Sequence, residues 1–471
     1  MAGRKANSAY MLLGQIFGKA GLFVSLMIYS RLLSDGAFGE LLFAVAISVI
    51  LFFLSDMGAS LLTTRRLLSG GSSSEILSSA FWLRTILSLV SMAILAAFSK
   101  IFGYSSSQVQ LLYMVFLGFV LDGFCETFYA LFRAREKMIF EGIARVSQGF
   151  LAIAIALIIR RYDPSYLLIG FSYTLRSVPS LLICIFAAGK ITGGLSIRFS
   201  GSSVKKLFLT AIPLGLMGII LVAGQRLDNG FVKVVLSNSA VAAWQQCYRL
   251  FEPMVLLVVP TLLPGALFAD LCKAEQIGWY QVVRRIRWMT EVFVAAAFVI
   301  VIPLFFIGMN VLEVVWGSDF LRGQNYNDVQ LALRLLLLCL PVTYMFHIYL
   351  AVVLAQHRQK IVLPVALGAF ILQMAGLAIF LPGRGIHIAA VMQLVFILVV
   401  SISLGVNAWK KYGRTGFVSG ALRPSIAFVA VVPFFVLQPF SPIWNSCVSL
   451  FVFILTWLIT GGGRAVAHPP H

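Results

Sequence analysis

Residues 207–264 read LFLTAIPLGLMGIILVAGQRLDNGFVKVVLSNSAVAAWQQCYRLFEPMVLLVVPTLLP, and this stretch decides the fold. It holds two apolar runs, each approaching the roughly 20 residues that one bilayer crossing needs, with Arg226, Asp228, Arg249 and Glu252 inside them or at their edges. A charged side chain at mid-membrane costs about 2.5 to 3.5 kcal/mol on insertion scales, so such residues face a wet cavity, pair with one another, or carry function. The stretch also echoes the start of the chain: Leu33-Ser34-Asp35-Gly36-Ala37 lies 203 positions before Leu236-Ser237-Asn238-Ser239-Ala240. Each lies between the first and second spans of its half, the trace of a duplication. A repeat containing an even number of spans keeps its orientation, which predicts two similar lobes related by an axis along the membrane normal.

Composition agrees with a polytopic membrane protein. Of 471 residues 60% are hydrophobic and 11% charged, against about 25% charged in soluble domains, and the mean hydropathy is +0.96. The net charge of +19 is spread over short loops, so there is no basic domain to hold a nucleic acid. Cys125, Cys184, Cys247, Cys272, Cys339 and Cys447 lie in or beside apolar runs without CxxC spacing, which points to neither a disulfide framework nor a zinc site. Arg4 and Lys5 precede an apolar segment running to about Tyr29 with no A-x-A-like cleavage signal after it, and it reads as a retained first span.

Spans are expected near 8–30, 39–62, 78–98, 108–132, 142–159 and 165–189, then near 207–231, 240–266, 288–309, 329–356, 361–381 and 387–408. A short pair near 425–440 and 443–460 brings the total to about 14. The fold class is therefore all-α and polytopic. The expected organisation is an N-terminal lobe over 1–189, a basic Gly/Ser-rich linker over 190–206, a C-terminal lobe over 207–408, and a helix pair with tail over 409–471. Outside the spans, the N-terminal tail and alternate loops on its side hold 22 Lys and Arg, whereas the opposite loops hold seven: Arg31, Lys100, Arg160, Arg161, Lys233, Arg322 and Arg384. By the positive-inside rule both termini are cytoplasmic.

Seven cations then fall within spans: Lys19, Arg84, Arg145, Arg176, Arg226, Arg249 and Arg334. Lys19 and Arg176 lie near mid-helix and Arg249 nearly so, and these three are expected to point into a solvated central cavity between the lobes. Arg84, Arg145, Arg226 and Arg334 are nearer span ends, where a long side chain can also snorkel to the headgroups. Arg84 and Arg226 complete the candidate cationic set. The intramembrane acids are Asp56, Asp122, Glu126, Asp228 and Glu252. Asp122 and Glu126 share a helix face at i, i+4, and Arg249 and Glu252 can touch at i, i+3. Each acid either neutralises a neighbouring cation or takes up the H+ or Na+ that drives a transport cycle. Pro179, Pro213, Pro253, Pro260 and Pro264 punctuate the helices, suiting spans that bend around a cavity.

No Walker A loop, GxGxxG after a strand, HExxH or GxSxG elbow occurs. No catalytic residue, metal site or cofactor is expected. His347 and His357 read as packed or solvated as readily as functional, and His468 and His471 are too few for a metal.

The Arg31-Leu-Leu-Ser-Asp-Gly-Ala-Phe-Gly-Glu40 element, the span ending Leu54-Ser-Asp-Met-Gly58, and the Ala240–Pro253 element before a Pro-rich span resemble the polysaccharide (Wzx-type, O-antigen) flippases. These belong to the multidrug/oligosaccharidyl-lipid/polysaccharide exporter superfamily. The resemblance implies two six-helix lobes in a V, alternating access, and transfer of an undecaprenyl-diphosphate-linked oligosaccharide across a bacterial inner membrane. It also implies a final helix pair flanking a groove for the lipid tail, and polysaccharide polymerase and chain-length proteins as partners. Lipid II flippases and multidrug antiporters of the same superfamily are the related readings, and the first-span pattern of the former is not seen here. A membrane-embedded glycosyltransferase or polymerase is the reading from another class, disfavoured by short outer loops and the lack of a DxD-type site. The residues favour an anionic substrate on their own terms, because Arg binds a diphosphate bidentately at low dielectric.

Overall fold

The computed structural model describes residues 2–68, 72–162, 165–194, 196–262, 278–321, 323–355, 359–412, 417–438 and 440–462. Pro264, Cys272, His357, His468 and His471 lie outside the described residues. The described chain is helical, with α1 (Ala2–Leu32), α2 (Asp35–Asp56), α3 (Ala59–Leu68), α4 (Ser73–Ile101), α5 (Ser106–Ala134), α6 (Ile139–Ile159) and α7 (Tyr166–Thr192) first. There follow α8 (Gly201–Arg226), α9 (Asp228–Val235), α10 (Asn238–Leu262), α11 (Trp279–Trp316), α12 (Tyr326–Ala355), α13 (Val362–Phe380), α14 (His387–Tyr412), α15 (Phe417–Val429), α16 (Val432–Leu437) and α17 (Pro442–Ile459). Twelve stretches of the described residues are long and apolar enough to cross a membrane, and each coincides with an expected span. The expected eighth and thirteenth spans correspond to α10 and to α15 with α16. The first of these carries Arg249 and Glu252, and the second is broken at Ala430 and Val431.

Local chemistry sets the helix ends. Ser105 and Gln108 form a reciprocal capping box at the start of α5, and the Ser165 hydroxyl accepts from the Leu168 amide at 3.2 Å to open α7. Gly193 closes α7 at φ +73°, a left-handed conformation that costs glycine little. The second span, expected near 39–62, is interrupted: Met57 and Gly58 adopt φ 46° and 75° between α2 and α3.

The chain divides into two compact units, Met1–Gly230 and Phe231–His471. In the first, α5 packs on α7, α1 on α6, and α2 on α4 and α5, while α8 lies against α2, α3 and α4. The α1–α6 crossing is made of small residues: a Cβ at Gly14 would meet the Gly142 Cα at 2.5 Å, and one at Gly18 would meet the Arg145 carbonyl oxygen at 2.8 Å. Lipid gives helices no hydrophobic reason to associate, and close backbone approach of this kind supplies the contact instead. In the second unit α12 packs on α10, α11 and α14, and α13 on α14. There α15 and α17 cover α11, with Phe298 stacked on Phe428 at 4.3 Å and Phe305 on Phe435 at 4.1 Å.

The duplication is visible in these pairings. Counted by span, second on third, second on fourth, third on fourth, fourth on sixth and fifth on sixth recur as eighth on ninth, eighth on tenth, ninth on tenth, tenth on twelfth and eleventh on twelfth. Ser34 and Ser237, the matching second residues of the two similar pentapeptides, stand immediately before α2 and α10, the second spans of the two halves.

Candidate functional site

In the first unit one group of charges lies on α1, α5, α6 and α7. A cavity of about 370 Å³ opens there, walled by Gln15, Lys19, Asp122, Glu126, Arg145 and Gln148, with Phe52, Phe53, Phe119 and Tyr129 beside them. The glycine crossing puts Gln15 and Lys19 of α1 opposite Arg145 and Gln148 of α6, since a separation set by side chains would hold the helices farther apart. Lys19 is exposed at this wall.

Both acids of the cavity are held by arginines. The Arg145 guanidinium donates to Glu126 at 2.6 Å and to Glu141 at 3.0 Å. Arg133 donates to Glu141 from Nη2 at 2.6 Å and from Nε at 2.9 Å, a fork that fits a carboxylate, and reaches Glu126 at 3.3 Å. Glu141 is fully buried, so two guanidiniums share its charge where water does not reach. Asp122 accepts from Arg176 at 3.3 Å and from the Gln148 amide. Arg176 lies over the Tyr173 ring at 4.9 Å and Arg145 over the Tyr129 ring at 4.6 Å, geometries in which an aromatic face stabilises a desolvated cation. The network counts four cations, Lys19, Arg133, Arg145 and Arg176, against three carboxylates, Asp122, Glu126 and Glu141.

The other predicted residues are placed elsewhere. Arg84 is 1% exposed; its guanidinium binds Asp56 and the Ser60 hydroxyl, the latter at 2.9 Å, and lies 5.8 Å from the Phe52 ring centre. Arg226 is buried at the end of α8 beside the fully buried Asp228, whose carboxylate accepts from the Asn229 amide at 2.7 Å. In the second unit Arg249 and Glu252 form the i, i+3 pair at 3.2 Å. Arg176 is buried behind Asp122 and does not line the cavity, whereas Arg145, Arg133, Glu141, Gln15 and Gln148 join the site and had not been singled out for it. Arg145 carried one signal, being a cation inside a span. Arg133 and Glu141 flank the α5–α6 turn, where a sequence offers a solvated loop as readily as a buried network.

The second unit repeats the helix pairing with a different set of polar contacts, its ion pairs including Arg249–Glu252 and Arg423–Glu291. Where Gln148 of α6 reaches Ser177 of α7 at 3.5 Å, Gln373 of α13 donates to Gln393 of α14 at 3.2 Å. The His347 ring on α12 is bonded to the Thr343 carbonyl at 2.8 Å.

The sequence matches the family described as "Polysaccharide biosynthesis protein" over residues 5–268. No curated protein matches it significantly. Among solved structures it is similar to a lipid II flippase, MurJ, in an inward closed conformation, with TM-score 0.72 and 14% identity over 97% of this chain and 99% of that one. It is similar also to the inward-facing conformation of a multidrug resistance MATE family transporter of the MOP superfamily, with TM-score 0.65 and 15% identity over 87% of this chain and 98% of that one. A MOP superfamily transporter from Pyrococcus furiosus Vc1, described as having a binding pocket of reverse polarity, gives TM-score 0.63 and 13% identity over 87% and 95%. These likenesses define the fold, and the family match, which spans more than half of the sequence, makes this chain a member of the polysaccharide biosynthesis protein family.

Proposed function

We propose that this protein is a flippase for a lipid-linked oligosaccharide, working by alternating access in a bacterial inner membrane with both termini in the cytoplasm, and supplying surface polysaccharide synthesis. The observation that carries the reading is the charge balance of the first-unit cavity. Each carboxylate on its wall is held by an arginine, Asp122 by Arg176 and Glu126 by Arg145, and the surrounding network is cationic by one charge. A diphosphate joining sugar to lipid is an anion that must cross the midplane, and a cationic wall offsets the cost of taking it there. Amides of Gln15 and Gln148 and the aromatic faces of Phe52 and Phe119 beside the charges suit a sugar. An organic cation would meet a wall of its own sign.

Lipid II is the second reading, supported by the similarity to MurJ over nearly the full length of both chains. It shares the polyprenyl diphosphate, so the same wall would serve. Coupling to H+ or Na+ would fall to Asp122 or Glu126, the acids that face the cavity.

Complementation separates the two. In a strain lacking its O-antigen flippase the wild-type gene is expected to restore surface polysaccharide, and in a strain depleted of its lipid II flippase it is expected not to restore growth. Growth without polysaccharide would reverse the assignment. Lys19→Gln is expected to lower polysaccharide at least tenfold at equal membrane level, with Lys19→Arg retaining more, since a charge-assisted hydrogen bond contributes about 1.5 to 3 kcal/mol.

A further inference from the structure

A second cavity of the first unit, about 280 Å³, lies at the opposite ends of α1 and α6 from their N-termini, lined by Val24, Met27, Ile28, Arg31, Leu32 and Arg160. Its chemistry is divided. Four apolar side chains of α1 form one wall, and two exposed guanidiniums stand at its mouth. By the loop-charge count this is the outer end, where only seven of the 36 Lys and Arg occur. Two of those seven meet at one apolar groove, although cations are depleted from the outer loops generally.

We propose that this groove is a binding site for an anionic phospholipid of the outer leaflet, the phosphate held between Arg31 and Arg160 and an acyl chain laid along Val24, Met27 and Ile28. A lipid phosphate presents acceptor oxygens that guanidiniums engage with fixed geometry, and Arg is less strongly hydrated than Lys, which suits it to the headgroup region. The apolar wall below the arginines commits the occupant to a lipid rather than a free ion, because a free phosphate gains nothing from Val24 or Ile28. The site is distinct from the Lys19 cavity: the two share no lining residue. It requires no transport activity and no particular sugar, so it stands or falls separately from the flippase reading.

Native mass spectrometry of the full-length protein in detergent tests the proposal, with phosphatidylglycerol and phosphatidylcholine of identical chains supplied in equal amounts. Wild type is expected to retain phosphatidylglycerol preferentially, and Arg31→Gln with Arg160→Gln to lower that preference about tenfold or more, each cation near an anionic headgroup being worth a several-fold factor. Arg384→Gln, which removes another cation of the outer loops, one stacked on Phe380 at 5.7 Å, is expected to leave it unchanged. The substituted arginines are exposed, and an unchanged melting temperature and elution volume confirm folding. A double variant with wild-type preference, or a wild type with none, would overturn the site. Displacement of the lipid by millimolar inorganic phosphate would make it a free-anion site and overturn the lipid assignment.

Discussion

Arg84 and Asp56 are two candidate residues that the structure pairs with each other. Asp56 stands among the ion-coupling candidates and Arg84 among the cavity cations, yet they bind each other, with Ser60 as a third partner and Arg84 1% exposed. Removing one member of such a pair leaves the other charge buried, at a cost of about 3 to 5 kcal/mol. Asp56→Asn is therefore expected to lower the melting temperature in detergent markedly, and the double change Asp56→Leu with Arg84→Met to recover most of it. An unshifted melting temperature in Asp56→Asn would return Asp56 to the coupling set. Sequence spacing announced the local pairs: Arg249 with Glu252 at i, i+3, and the shared face of Asp122 and Glu126 at i, i+4. It could not announce Asp56 with Arg84 or Glu126 with Arg145, which lie 28 and 19 residues apart and meet only because separate helices pack. Gln15 and Gln148 carry no signal in the sequence because an uncharged amide costs too little in a span to stand out.

At the scale of elements, the α1–α6 crossing is what brings Lys19 to the cavity. A side chain at Gly18 would strike the Arg145 carbonyl, so Gly18→Leu is expected to force α1 outward and carry Gln15 and Lys19 away from the cavity wall. Overpacking of this kind costs about 1 to 3 kcal/mol. The functional loss is expected to exceed that of Lys19→Gln, since the whole wall moves. Gly368 of α13 has open space around it, and Gly368→Ala is expected to be tolerated, with folded yield and polysaccharide near wild type. Wild-type activity in Gly18→Leu would contradict the positioning role. The glycines were readable as letters but not as a crossing, because which helix faces which is settled by the tertiary arrangement.

At the scale of the molecule, the sequence suggested a duplication from two similar pentapeptides and from the regular spacing of apolar runs, and five pairs of packed spans recur in the second half. Hydropathy reads spans well because lipid allows so few structures to cross it. The charges are distributed differently: the first unit carries the Glu126–Arg145 network between its fourth and fifth spans, whereas the ion pairs of the second include Arg249–Glu252 and Arg423–Glu291. This difference is a division that apolar periodicity does not express, and the proposed anion site falls on the first unit. The loop-charge count adds a topological expectation. Reporter fusions after residue 198 and after residue 411 should both report a cytoplasmic location, and one after Lys100 a periplasmic one. Opposite locations for the first two would remove the even-span repeat.

The central claim, that the Lys19 cavity holds a lipid-linked diphosphate, is tested most directly by the affinity of the purified protein for an undecaprenyl-diphosphate-linked saccharide. Wild type is expected to bind it and to bind the matching uncharged lipid-linked sugar at least tenfold more weakly, and Lys19→Gln is expected to lose about tenfold or more for the diphosphate alone. Equal affinity of wild type and Lys19→Gln for the diphosphate, or tighter binding of a lipophilic organic cation, would contradict the account.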